Sequence, residues 1–237
     1  MNLTIAGLTA RALLGRKRVL LLLPMPVLLI GLTLIARGIL ADTATWGPIV
    51  LAELGIGTLL PLTALIVGSS VLGLEIEDGT ITHVLSKPVP RTEIIVAKLV
   101  VAWAVTIVST AVPVAIAGMI TDSAGLGISL LVAVAVGALA YTAIFLALSL
   151  MSRRPVAVGL IYIVLWENLL TSFVGGTQVL SIKQYTTAIA DGLVNTPLLK
   201  GNLSIVTAAI LTVALIALGT AVATQRLRSF SLTGETS

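Results

Sequence analysis

Residues 75–98 read EIEDGTITHVLSKPVPRTEIIVAK. The chain concentrates its polar chemistry here, and the sequence on either side is greasy enough to sit in lipid. Before it lies 49–74, IVLAELGIGTLLPLTALIVGSSVLGL, and after it 99–120. Each run is long enough to cross about 30 Å of hydrocarbon at about 1.5 Å per residue. A polar connector between two such runs faces an aqueous compartment. The pattern predicts an all-α, polytopic membrane protein, a single transmembrane domain over residues 1–237.

Composition agrees with that reading. Of 237 residues, 57% are hydrophobic and 10% charged, and the mean hydropathy is +1.14. A soluble domain is about a quarter charged, so the lipid bilayer is the natural solvent and the first partner of this chain. Cysteine is absent, which excludes disulfides and thiolate metal sites. The single histidine, His83, excludes a multi-histidine cluster within one chain, and no metal site is expected. The net charge of +4 sits at the ends of apolar spans, which points to membrane topology and away from nucleic acid.

Outward from the connector the chain divides into six spans. Residues 1–18 end in Arg16-Lys17-Arg18 and predict a short interfacial helix whose cations meet anionic headgroups. The alternative there is a basic tail that only sets topology. The first span is 19–40, too long for a cleaved signal peptide in a chain with further spans, with Pro24 and Pro26 loosening its first turn. After an outer connection at 41–48 comes the second span, 49–74. Arg37 and Glu53 both fall near the outer boundary and are expected to form an ion pair. Ser69 and Gly73 permit close helix contact. The third span, 99–120, should kink at Pro113. An outer turn at 121–124 leads to the fourth, 125–151, with Gly137 and Tyr141 on one face. After Arg153-Arg154-Pro155 the fifth, 155–174, is interrupted by Trp166-Glu167-Asn168 and stopped by Gly175-Gly176. Glu167 falls more than halfway across the bilayer, where an acid costs about 3 kcal/mol unless it faces protein or water. An outer segment, 177–202, holds a helix over 181–193 and a break at Pro197. The last span is 203–223, followed by a basic and then polar tail.

The side of the N-terminus carries Arg11, Arg16, Lys17, Arg18, Lys87, Arg91, Lys98, Arg153, Arg154, Arg226 and Arg228; the other side holds only Arg37, Lys183 and Lys200. Positive charge is retained on the cytoplasmic side. Both termini and the connector are therefore expected in the cytoplasm, with the chain multi-pass in the cell (inner) membrane. No repeat relates the two halves, which gives no support to the inverted-repeat logic of many secondary transporters.

Within the connector, Glu75, Glu77 and Asp78 precede Gly79, which permits a sharp turn. Asp78 or Thr80 can cap a short helix, and acids suit its N-terminal dipole. Ile81, Val84 and Leu85 give that helix an apolar face; Pro88 and Pro90 stiffen its exit. Arg91 or Thr92 starts a new helix running through Lys98 into the third span. The product is a short, braced helix below the membrane; an ordinary solvated loop is the alternative that composition leaves open. The order Glu-x-Glu-Asp-Gly-Thr, then Leu85-Ser86-x-Pro88-Val89-x-Arg91, then Ile94 and Lys98, resembles the signature loop of the type-2 ABC exporter permeases. Ile76 departs from the family's usual basic residue and Pro90 from its usual serine.

That resemblance implies a six-span subunit whose coupling helix, between spans two and three, docks on a cytoplasmic ABC ATPase. Carried over, the docking residues are Glu75, Glu77, Asp78, Gly79, Thr80, His83, Leu85, Pro88 and Arg91, with Thr80 to Leu85 as the docking helix. A second permease copy, as a homodimer, and two ATPases are implied as well. The sequence has no GxxxxGK[ST] loop and no catalytic constellation, so the chain is expected not to be an enzyme and to hold no cofactor. ATP and Mg belong to the partner subunit. The expected function is permease of an ATP-driven exporter, with Glu167 and Asn168 as candidates for lining the pathway; Glu167 is equally readable as a structural anchor. The alternative is a stand-alone secondary transporter or channel using Glu53 and Glu167.

Overall fold

The computed structural model describes residues 7, 9, 22–40, 42–77, 90–170 and 179–233, without the side chains of 74–77, 170 and 230–233. Among these residues the chain is all-helical. Helix α1 is Pro24–Ile39; α2 runs unbroken through Thr43–Pro48, Ile49–Leu59 and Leu60–Glu77; α3 is Arg91–Thr121; α4 is Ala124–Met151; α5 joins Pro155–Ile161 to Tyr162–Leu170; α6 is Ile182–Val194; α7 is Ile205–Thr233. Four helices, α2, α3, α4 and α7, are long and apolar enough to cross a membrane, and α1 and α5 are shorter apolar helices. Residues 19–21 and 171–174, which the sequence reading adds to the first and fifth spans, lie outside the described residues. So do the expected interfacial helix, apart from residues 7 and 9, and Gly175-Gly176.

Local chemistry accounts for the boundaries. The proline at the start of α1 sits where its missing N–H costs nothing. The Asp42 carboxylate caps α2, accepting from the Ala44 N–H at 3.1 Å and from Thr45 Oγ1 at 2.7 Å. That cap starts α2 at Thr43, earlier than the predicted 49. Ser123 caps α4, accepting from the Leu126 N–H at 3.3 Å. Asn195, at φ 51, closes α6 in the left-handed conformation that Asn tolerates. At the far end, α7 continues beyond the predicted 223, because Ala223 and Leu227 extend its buried stripe at helical spacing while Arg226 and Arg228 stay exposed.

Three stretches are wound as π-helix: Ile49–Leu59, Ile107–Ala111 and Tyr162–Leu170. The first two end just ahead of Pro61 and Pro113. A proline inside a helix removes one N–H and clashes with the carbonyl a turn earlier, and a wider upstream turn relieves the clash. The distortion expected at Pro113 thus takes the form of a π-turn before it. In two of these stretches a side chain bonds a carbonyl five residues back: Thr58 Oγ1 to Glu53 O at 2.9 Å, and Asn168 Nδ2 to Ile163 O at 3.0 Å.

Helix α4 is the hub, packing against α2, α3, α5, α6 and α7. Small residues set its closest approaches. A Cβ on Gly127 would lie 2.8 Å from the Ala115 carbonyl oxygen of α3, and one on Gly137 would lie 2.3 Å from Thr186 Oγ1 of α6. One apolar cluster joins α1, α2, α3, α4, α5, α6 and α7 toward the end that carries Asp122 and α6. A second, including Val71, Leu72, Ile94, Ile95, Leu146, Leu150 and Leu227, lies toward the opposite end, where α2 stops at Glu77 and α3 starts at Arg91. We call these the α6 end and the connector end. Exposed large apolar side chains are densest on α1 and α5.

Candidate functional site

At the α6 end, the polar chemistry converges on Glu167. Its π-wound helix turns the carboxylate away from the exposed face of α5 and toward the start of α6, where it is fully buried. Oε1 accepts from the Tyr162 hydroxyl and from the Ile182 N–H, each at 3.0 Å; Oε2 accepts from Ser181 Oγ at 2.5 Å and, more weakly, from the Lys183 N–H at 3.4 Å. Two of these donors are orphan amides in the first turn of α6, so the acid also meets the positive end of that helix dipole. A buried carboxylate is tolerable when its lone pairs are met this way. Tyr162 in turn packs edge-on against Phe145, which stacks on Tyr141, tying α5 to α4. Trp166 Nε1 donates to Leu180 O at 3.2 Å and secures the same junction. Asn168, adjacent in sequence, is half-buried and spends an amide hydrogen on its own helix.

From the same first turn of α6, Lys183 Nζ reaches Glu53 Oε2 at 2.7 Å. The lysine stem lies over Gly57, with Cε 3.0 Å from where a Cβ would stand. The expected Arg37–Glu53 pair therefore does not form. Arg37 instead donates from Nη1 to the Ile120 carbonyl at 2.6 Å, drawn to the negative end of α3, against which α1 packs. Glu53 sits on the π-wound part of α2, which faces α6, so its partner comes from there.

At the connector end, Lys98 is buried to 1% exposure in α3, and its Nζ donates to the Val71 carbonyl of α2 at 3.2 Å. That bond and the second apolar cluster fix the two helices to each other just before they enter the polar connector. Of the sequence-predicted docking residues, Arg91 is the first residue of α3 and half-buried. Glu75 and Glu77 belong to the last turns of α2, with side chains outside the described residues. Asp78, Gly79, Thr80, His83, Leu85 and Pro88 lie outside the described residues altogether.

The sequence model described as "ABC-2 family transporter protein" matches residues 21–231, nearly the whole chain. The chain belongs to the ABC-2 transporter family. It is thus a membrane component of ABC transport, not itself catalytic, and membership implies work alongside ABC ATPase subunits. No match is found among curated proteins.

In this ABC-2 protein the residues that sequence reasoning missed are Tyr162, Ser181 and Lys183. Ser181 carried a signal: Ser-x-x-Gln over 181–184 is a capping-box pattern, and Ser181 Oγ does accept from the Gln184 N–H at 3.3 Å. Tyr162 and Lys183 carried none, because their partners come from other turns or other helices. Among the described residues no group of three or more His, Asp or Glu stands together as metal ligands.

Proposed function

We propose that this chain is the six-span permease subunit of an ATP-driven exporter. In this reading it sits in the cell membrane with both termini in the cytoplasm, and a pair of copies forms the pathway. Residues 75–91 form the coupling helix and its flanks, which dock on a separate ATPase. ATP binding there closes two ATPases, moves the connectors and swings the spans.

The observation that carries this reading is the family match across 21–231, a range that contains the connector. The clamp formed by Lys98 and Val71 supports it mechanically. A push on the connector reaches two long helices at once, because their ends share one packed layer.

The test is co-purification. Wild-type chain should bring down its ATPase, and Glu77→Lys with Asp78→Lys should abolish that association while the permease still accumulates in the membrane. A normal yield of complex after charge reversal would count against the docking assignment. Transport by the purified chain without any ATPase would instead favour the stand-alone transporter.

Glu167 enters the same proposal as the anchor of α6, and as a pathway residue only where α6 itself borders the pathway. Loss of transport in Glu167→Gln with intact assembly favours the pathway role; unchanged transport ends it.

A further inference from the structure

A cavity of about 570 Å³ opens between α2 and α5 at the connector end. Ile66 and Gly73 line one wall, Val156 and Leu160 the other, and Arg153 and Arg154 stand at its rim. It falls within the usual range of about 300–1,000 Å³ for a ligand pocket.

Packing explains why it exists. A Cβ on Gly159 would lie 2.2 Å from Leu65 Cδ1, so the two helices touch at that level. About two turns further along α2, Gly73 meets nothing within 4 Å. The helices splay between these points.

The walls are apolar in practice. Ser69 and Ser70 also line the cavity, but their hydroxyls donate to the Leu65 and Ile66 carbonyls of their own helix, each at 2.6 Å. Cationic donors are found only at the rim. Both arginines are exposed, and neither pairs with a carboxylate among the described residues. The first turn of α5 carries no acidic residue and no side-chain cap. Val156 is 46% and Leu160 40% exposed, which continues the apolar wall onto the outer surface of α5. An apolar sleeve open to that surface with two guanidiniums at its mouth matches an amphiphile with an anionic head.

We propose that this cleft binds an anionic phospholipid, with an acyl chain along α2 and α5 and the phosphate on Arg153 and Arg154. The site requires that the chain lie in a bilayer with these arginines at headgroup depth. It does not require coupling to an ATPase, so the two readings fail separately.

The experiment uses the full chain in detergent, together with its ATPase where the two co-purify. Native mass spectrometry compares phosphatidylglycerol with phosphatidylcholine of identical chains. Phosphatidylglycerol should bind preferentially. Arg153→Gln with Arg154→Gln should weaken it by about thirtyfold, toward the level of phosphatidylcholine. Lysine at both positions should keep the preference. Gly73→Leu, which enters open space, should block both lipids without lowering Tm. Inorganic phosphate should not displace the lipid. Three results overturn the proposal: the double glutamine variant keeps its preference, phosphate alone displaces phosphatidylglycerol, or Leu160→Cys cross-links one copy to another in a complex that excludes lipid. The second would mark a soluble-anion site, and the third an interface between copies. ATPase co-purification should be unchanged in every variant.

Discussion

Glu167 shows how one side chain can be legible in kind and illegible in role. Its depth in an apolar span marks it as an acid that needs partners. The partners, Ser181 and the amides of Ile182 and Lys183, follow a segment whose path the sequence does not dictate. Glu167→Gln keeps the shape but turns an NH2 toward at least one of those donors. The loss of the charge-assisted bonds should cost about 2 kcal/mol, or about 4–8 °C in Tm for a chain of this size. Thermal unfolding in detergent checks this, and an unchanged Tm would mean the carboxylate is not holding α6. Glu53 and Lys183 should behave differently. The Glu53 side chain is 58% exposed, so a double-mutant cycle with Glu53→Gln and Lys183→Met should give a coupling below about 1 kcal/mol that shrinks with salt. The sequence reading paired Glu53 with Arg37 from depth alone. Depth places two residues at one level, but helix rotation decides which way they face, and the π-wound turn at Ile49–Leu59 alters that rotation.

At the scale of elements, helix α6 packs closely where its neighbours leave out a side chain. Gly137 of α4 makes room for Thr186, and Gly201 makes room for Ala188, whose Cα would be 2.8 Å from an added Cβ. Gly137→Ala should therefore destabilise by about 1–3 kcal/mol through overpacking. Thr186→Ala, which removes both atoms of Thr186 in the way, should recover most of that loss, although Leu60 Cδ2 at 3.2 Å limits the recovery. Chemical or thermal unfolding of the four species closes the cycle; additive losses would show that the contact is not the cause. Helix existence was legible here. Apolar run lengths located α2, α3, α4 and α7, and the turn at Arg153-Arg154-Pro155 and the helix after Ser181 lay where the residues indicated. The π-winding was not legible, since proline signals a disturbance without saying how the backbone absorbs it. Nor was the early start of α2, where Asp42 and Thr45 form a cap inside what reads as a short loop.

For the whole molecule, the distribution of charge makes a claim about direction that the fold can carry to specific positions. The turn containing Asp122 and the turn containing Arg153 and Arg154 stand at opposite ends of α4, the helix against which most others pack. If both termini and the connector are cytoplasmic, as proposed, Asp122 faces the outside and Arg153 the inside. The sequence contains no cysteine, so single replacements report without any background to remove. Asp122→Cys should label with a membrane-impermeant maleimide in intact cells, and Arg153→Cys only after the cells are opened. Both positions are exposed, and the Asp122 side chain accepts one bond, from Ser123 Oγ at 2.9 Å, so neither change should disturb folding. The reverse labelling pattern would put residues 75–91 outside the cell, where no ATPase could reach them. It would remove the coupling proposal while leaving family membership, the Glu167 anchor and the packing around α4 as they are.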